Sequence, residues 1–158
     1  MELPSVIKGG THVDARGVLR FCNDFDMTGI KRFYTITNSA EQPFRGWIGH
    51  KKETKWFFPV KGKTEVVVEP MADFNAEKRN RPLRVGATHG EATEPNEASA
   101  ENGGEAERFV LKAEEPKVLK VPPGNWFFIE QHDGAEVMVF SDCKIGECEN
   151  DDLRRPFI

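Results

Sequence analysis

Three cysteines, one tyrosine and four histidines are all that this 158-residue chain holds of its most versatile chemical side chains. Cys22, Cys143 and Cys148 form no CxxC pair, so neither a zinc site nor a disulfide framework is expected, and free thiols in a reducing compartment are the reading. No apolar run is long enough to span a bilayer, and residues 1–10 lack a secretory apolar stretch. A soluble, cytoplasmic protein without a membrane partner is expected. The formal net charge of −4 supplies no basic field, so nucleic acid is not an expected partner. Helical periodicity is also missing: no window of helical length carries an apolar stripe free of glycine and proline.

What is present reads as strand. Residues 18–21, 30–37, 56–60, 64–69, 108–113, 117–121, 126–130 and 135–141 are β-branched, aromatic or alternating, and Gly or Pro turns separate them. Pro59 marks a strand end or a bulge. One domain over 1–158 suffices for a chain of this length, and many short strands imply an all-β sandwich or barrel. Between about 72 and 106 hydrophobic content falls, and every charged residue from 85 to 107 is acidic. A flexible acidic insertion is expected there, in place of a plain hairpin joining Val66–Val68 to Phe109–Leu111. The tail has a cap signal at Asn150 or Asp151, which predicts a short helical turn. Its apolar end suggests that it docks.

Residues 45–62 concentrate the polar chemistry. Arg45, His50, Lys51, Lys52 and Lys55 precede the apolar run Trp56-Phe57-Phe58 and a turn at Gly62. Cations on a strand that leads into a buried run suggest an anion pocket. The competing reading is an edge strand with its charges in water.

Five short motifs occur in a telling order: Asp14-x-Arg16-Gly17-x-Leu19, Ile30-Lys31-Arg32-Phe33-Tyr34, Arg45-Gly46 with His50-Lys51, Val121-Pro122-Pro123-Gly124-x-Trp126, and Glu149-x-Asp151-x-Leu153-Arg154. Together they resemble the nucleotide-sugar cupins of the dTDP-4-dehydrorhamnose 3,5-epimerase (RmlC-like) superfamily, and within it the dTDP-4-keto-6-deoxyglucose 3,4-ketoisomerases. The resemblance implies an RmlC-like cupin jelly roll (a double-stranded β-helix) and a homodimer. It implies a barrel mouth that binds a dTDP-sugar without metal or cofactor, and an isomerase or epimerase of cell-envelope or O-antigen sugar biosynthesis. In the ketoisomerases the central motif resembles Arg-Gly-x-His-Ala-His-Lys, and its first histidine is the usual base. That position here is Ile48. The second histidine is His50, and Arg45, Gly46, Lys51 and Tyr34 are retained. A tyrosine on a later strand, as in the epimerases, is replaced by Val139 and Phe140.

Proton transfer beside a ketone needs a base and a group that stabilises the enolate. Strand alternation puts residues 48 and 50 on one side, so His50 is the remaining base candidate and Tyr34 the candidate enolate donor. The competing readings are a hydrogen-bonded histidine and a half-buried sheet tyrosine. Arg16, Arg45, Lys51 and Lys55 are the candidates for substrate binding, with Arg16, Arg45 and Lys55 toward diphosphate. Against these stand an Arg16–Asp14 turn pair and a solvated Lys55. Trp126 is the candidate stacking residue, with a core aromatic as its alternative. Asp151 and Arg154 are read as braces of the tail. No metal site is expected, because the metal-binding pattern finds Ile48, His50, Glu53 and Phe127 at its four positions. The alternative to an enzyme is a sugar-binding cupin that has lost catalysis with the histidine at 48.

Overall fold

The alternating apolar segments do become strands. A computed structural model of the protein describes residues 2–71 and 105–156. Its strands run in chain order: β1 (Ser5–Lys8), β2 (Gly10–Asp14), β3 (Gly17–Phe21), β4 (Arg32–Ile36), β5 (Phe44–His50), β6 (Lys55–Lys61), β7 (Lys63–Pro70), β8 (Glu107–Lys112), β9 (Lys117–Val121), β10 (Asn125–Gln131), β11 (Glu136–Ser141) and β12 (Leu153–Arg154). No helix occurs among the described residues, and none is long and apolar enough to cross a membrane. The acidic insertion expected at about 72–106 lies almost wholly outside the described residues.

Two five-stranded antiparallel sheets carry the fold, in the orders β1-β9-β6-β11-β4 and β12-β5-β10-β7-β8, and β2 and β3 form a separate hairpin. The core lies between the sheets. Val66, Val68, Leu111, Phe127 and Ile129 meet Phe57, Leu119, Val137 and Val139 there, all nearly inaccessible to solvent. β7 is apolar on both faces for a reason. Val66 and Val68 point into this core, whereas Val67 packs outward against Trp47 and Phe128. A continuous apolar run therefore marks a strand buried on two sides.

The turn chemistry follows the sequence. Asp133 and Gly134, both at positive φ (55° and 67°), turn the chain from β10 of one sheet to β11 of the other, and the Ala135 N–H closes that turn on the His132 carbonyl. Pro59 lies on β6 beyond the part paired with β9, next to a register shift opposite Glu136 and Val137. β7 and β8 pair as a hairpin would, with Val66 opposite Phe109.

Two expectations are corrected. After the turn at 145–150 the tail forms no helical turn; Leu153 and Arg154 pair with Gly49 and Ile48 as an added edge strand. Unpaired N–H and C=O groups on the edge of β5 give the tail a partner that a helix would forgo. Cys143 and Cys148 are joined in a disulfide, with 6.2 Å between their Cα atoms, rather than left as free thiols. The turn between them, closed by Glu147 N–H to the Lys144 carbonyl and by Asp151 N–H to the Cys148 carbonyl, folds the chain back. Cys22 remains free.

Candidate functional site

Between the sheets, at one end, lies a cavity of about 270 Å³. Its walls come from alternate positions of four strands: Tyr34 and Ile36 on β4, Ile48 and His50 on β5, Lys55 and Phe57 on β6, Phe127 and Ile129 on β10. The turn 143–149 and residues Asp152 and Arg154 rim the opening. Ile48 and His50 face the same space, as alternation requires. Phe127 sits directly opposite Ile48 in the ladder and 6.0 Å from the His50 ring. Two of the four positions of the metal pattern are thus hydrocarbon, inside the cavity wall.

The polar floor is a network around Glu53, which follows the end of β5. Its Oε1 accepts from Lys55 Nζ at 2.5 Å, from Arg32 Nη2 at 2.9 Å and from the Ser141 hydroxyl. Lys55 and Glu53 are nearly inaccessible, with side chains 4% and 5% exposed. Burial disfavours the charged carboxylate, but the hydrogen bonds from Lys55 and Ser141 and the Lys55 charge outweigh it, so the Glu53 pKa falls below the ordinary glutamate range. Lys55 and Arg32 also flank the Tyr34 ring, at 5.4 and 5.2 Å from its centroid.

His50 is buried, and its Nδ1 lies 2.9 Å from the backbone carbonyl of Asp151 and 3.4 Å from Glu53 Oε2. Both neighbours are acceptors, so Nδ1 carries the proton and, in the neutral ring, Nε2 holds the lone pair. Burial lowers the His50 pKa and wins over the opposing pull of Glu53. The ring is therefore neutral at neutral pH. Asp151 in turn accepts three backbone N–H groups: Lys51 at 2.7 Å on Oδ1, Lys52 at 3.0 Å and Glu53 at 2.9 Å on Oδ2. Its pKa too is lowered: burial opposes the charge, and these N–H groups overcome it.

His50, Glu53 and Asp151 offer donor atoms within 4.8 Å of one another, the one such convergence among the described residues. The two carboxylates are already engaged by two cations, a hydroxyl and three amides. A cation there would displace these bonds and face Lys55 and Arg32, so the set does not fit a metal.

The structure brings together only part of the set singled out from sequence. His50, Tyr34 and Lys55 line the cavity. Lys51 lies just past β5, where its N–H is held by Asp151. Arg45 is exposed near the start of β5, with Nε 3.4 Å from Asn38 Oδ1 and no part in the cavity wall. Arg16 sits at the hairpin turn β2–β3, paired with Asp14 at 2.5 Å. Trp126 is on the opposite face of its sheet, over Gly49, where a Cβ would lie 2.6 Å from the indole. It packs on the outer Trp47–Val67–Phe128 cluster and meets Arg155 at 5.2 Å. Sequence reasoning missed Arg32 and treated Glu53 only as a metal position. A charged residue alternating with Tyr34 was the available signal for Arg32, and the odd Glu among the lysines of 51–55 was that for Glu53.

No family model and no curated protein matches this sequence. Solved structures match in shape. A 3,4-ketoisomerase from Helicobacter canadensis gives a TM-score of 0.64 at 16% identity, over 96% of this chain and 90% of its own. The chain has the RmlC-like cupin fold. A dTDP sugar isomerase from Desulfovibrio desulfuricans G20 gives 0.66 at 13% identity, over 97% and 83% of the two chains. The RmlC epimerase of Mycobacterium tuberculosis gives 0.62 at 15%, over 89% and 64%. At such identities the likeness is one of cupin architecture. The site described above stands on this cupin's own side chains.

Proposed function

We propose that this cupin binds a dTDP-4-keto-6-deoxyhexose and moves a proton beside its ketone, as a sugar isomerase or epimerase that uses no metal. Solved neighbours support the substrate class. One is a sugar 3,4-ketoisomerase from Thermoanaerobacterium thermosaccharolyticum in complex with TDP, and a variant of the same protein holds TDP-4-keto-6-deoxyglucose. The observation that carries the chemistry is the placement of His50: a buried, cavity-lining ring whose Nδ1 lies 2.9 Å from the Asp151 carbonyl, an arrangement that favours the proton on Nδ1 and the lone pair on Nε2. A neutral imidazole so held is a general base, and the imidazolium formed on proton capture lies 3.4 Å from Glu53. In this reading Tyr34 donates to the enolate oxygen, and Lys55 supplies positive charge. The functional unit is a homodimer serving cell-envelope sugar synthesis in the cytoplasm.

Ile48 favours a second reading, a cupin that binds the sugar nucleotide without turning it over. Solvent deuterium exchange separates the two. With dTDP-4-keto-6-deoxyglucose in D2O, label is expected to enter beside the ketone. His50→Gln is expected to slow entry by about a hundredfold or more, the usual contribution of a general base, while dTDP still binds. Binding of dTDP with exchange at the background rate would establish the second reading.

A further inference from the structure

The tail of the chain is built into the histidine site. Asp151 is 4% exposed and 101 residues distant from His50 in sequence. Its two carboxylate oxygens take the N–H groups of all three residues that follow Glu53's neighbour His50, namely Lys51, Lys52 and Glu53 itself. Its carbonyl faces Nδ1 of the imidazole. Two residues on, β12 pairs with β5 at Gly49 and Ile48, so the same short segment flanks His50 on both sides in sequence.

We propose that Asp151 is a positioning residue for His50: its carboxylate locks residues 51–53 and its own backbone together, and its carbonyl then fixes the ring orientation that leaves the lone pair on Nε2. The inference rests on the proposed role of His50 as base and extends it to the C-terminal segment. An aspartate that served loop closure alone would need no carbonyl on the ring. A ring held by Glu53 alone would have a longer contact, 3.4 Å, to a carboxylate already shared with Lys55, Arg32 and Ser141. The groups facing the imidazole are therefore Glu53 and Asp151 on the Nδ1 side and Lys55 nearby, with Phe127 as the apolar wall.

The test reads the tautomer first. In the parent protein labelled with 15N-histidine, the His50 signals near neutral pH are expected to show a protonated Nδ1 and an unprotonated Nε2. The reverse pattern overturns the proposal without any mutation. Asp151→Ala is expected to give a mixed tautomer and to slow deuterium exchange about tenfold to a hundredfold, the scale of a misplaced catalytic group, with dTDP affinity unchanged. Asp151→Asn, which keeps one acceptor oxygen, is expected to fall between the two. A tautomer unchanged in both variants, or a loss of dTDP affinity that parallels the loss of exchange, would reduce Asp151 to a structural clamp. If His50→Gln leaves exchange intact, the base assignment fails, yet the tautomer still judges what Asp151 does to the ring.

Discussion

Lys55–Glu53 and Arg16–Asp14 close at the same 2.5 Å, one inside the cavity and one in water. The side chains of the first pair are 4% and 5% exposed, and those of the second 88% and 32%. Equal distance does not mean equal consequence. Away from water the attraction is stronger, and so is the cost of leaving either partner alone; at the surface, solvent and salt reduce both. The inner pair is also one strand of a network through Arg32 and Ser141, whereas the outer pair is local to one turn, with Arg16 N–H and guanidinium both on Asp14.

The largest expected effect follows from the inner pair. Glu53→Gln keeps size and acceptor oxygen but leaves Lys55 buried beside Arg32 without a counter-charge. Unfolding free energy from denaturant titration is expected to fall by roughly 3–5 kcal/mol, the usual cost of stranding a buried charge. Adding Lys55→Met should recover most of that loss, because no unpaired ammonium remains. A Glu53→Gln protein as stable as the parent would show that water reaches the pair, and the contrast with Arg16–Asp14 would collapse.

A smaller effect concerns pH. His50 has a lowered pKa in the native protein, chiefly from burial. An unfolded chain takes up that proton near pH 6.5, while the folded one resists until the pH is lower. The unfolded state thus binds more protons in this window, so stability falls as pH drops below about 6.5, by at most about 1.4 kcal/mol per pH unit for one proton. Glu53 and Asp151, both lowered, contribute stability that is complete above about pH 5 and lost as pH falls through their native values. Denaturant midpoints measured from pH 8 to 3 should show both windows, and His50→Gln should remove only the upper one. A parent curve that is flat between pH 6.5 and 5 would place His50 in contact with solvent.

The sequence reveals the inner region better than the outer one. Alternation along β5 places Ile48 and His50 on one side, and the cavity contains both. The same rule fails for Trp126, because β10 is apolar on both faces. Phe127 and Ile129 point into the core, and Trp126 and Phe128 join the outer cluster. When both faces are apolar, period two cannot say which is the pocket. Arg45 was hidden for another reason. It was singled out from the run of cations on 45–55 and from the family resemblance, neither of which reports a face, and a register shift between Phe127 and Phe128 interrupts β5 beside Gly46. The tail's dual hold on His50 and on residues 51–53 joins positions about 100 apart, which no local pattern contains. The disulfide was missed because five-residue spacing between two cysteines is uninformative until a turn brings them together.

The smallest expected effect belongs to the outer pair. Arg16→Ala removes a guanidinium paired with Asp14, on a hairpin whose strands pair with neither sheet. Solvent screens that pair, so the thermal midpoint is expected to stay within experimental error of the parent. The same hairpin leaves Val13, Val18 and Leu19 between half and two-thirds exposed. Burial by a second copy of the chain would desolvate Arg16 and Asp14 together with these residues and move the pair toward the behaviour of Lys55–Glu53. A clear drop in midpoint on Arg16→Ala, larger at high protein concentration than at low, would therefore show that an assembly covers the hairpin. A midpoint that does not respond at any concentration keeps the two pairs in their separate regimes.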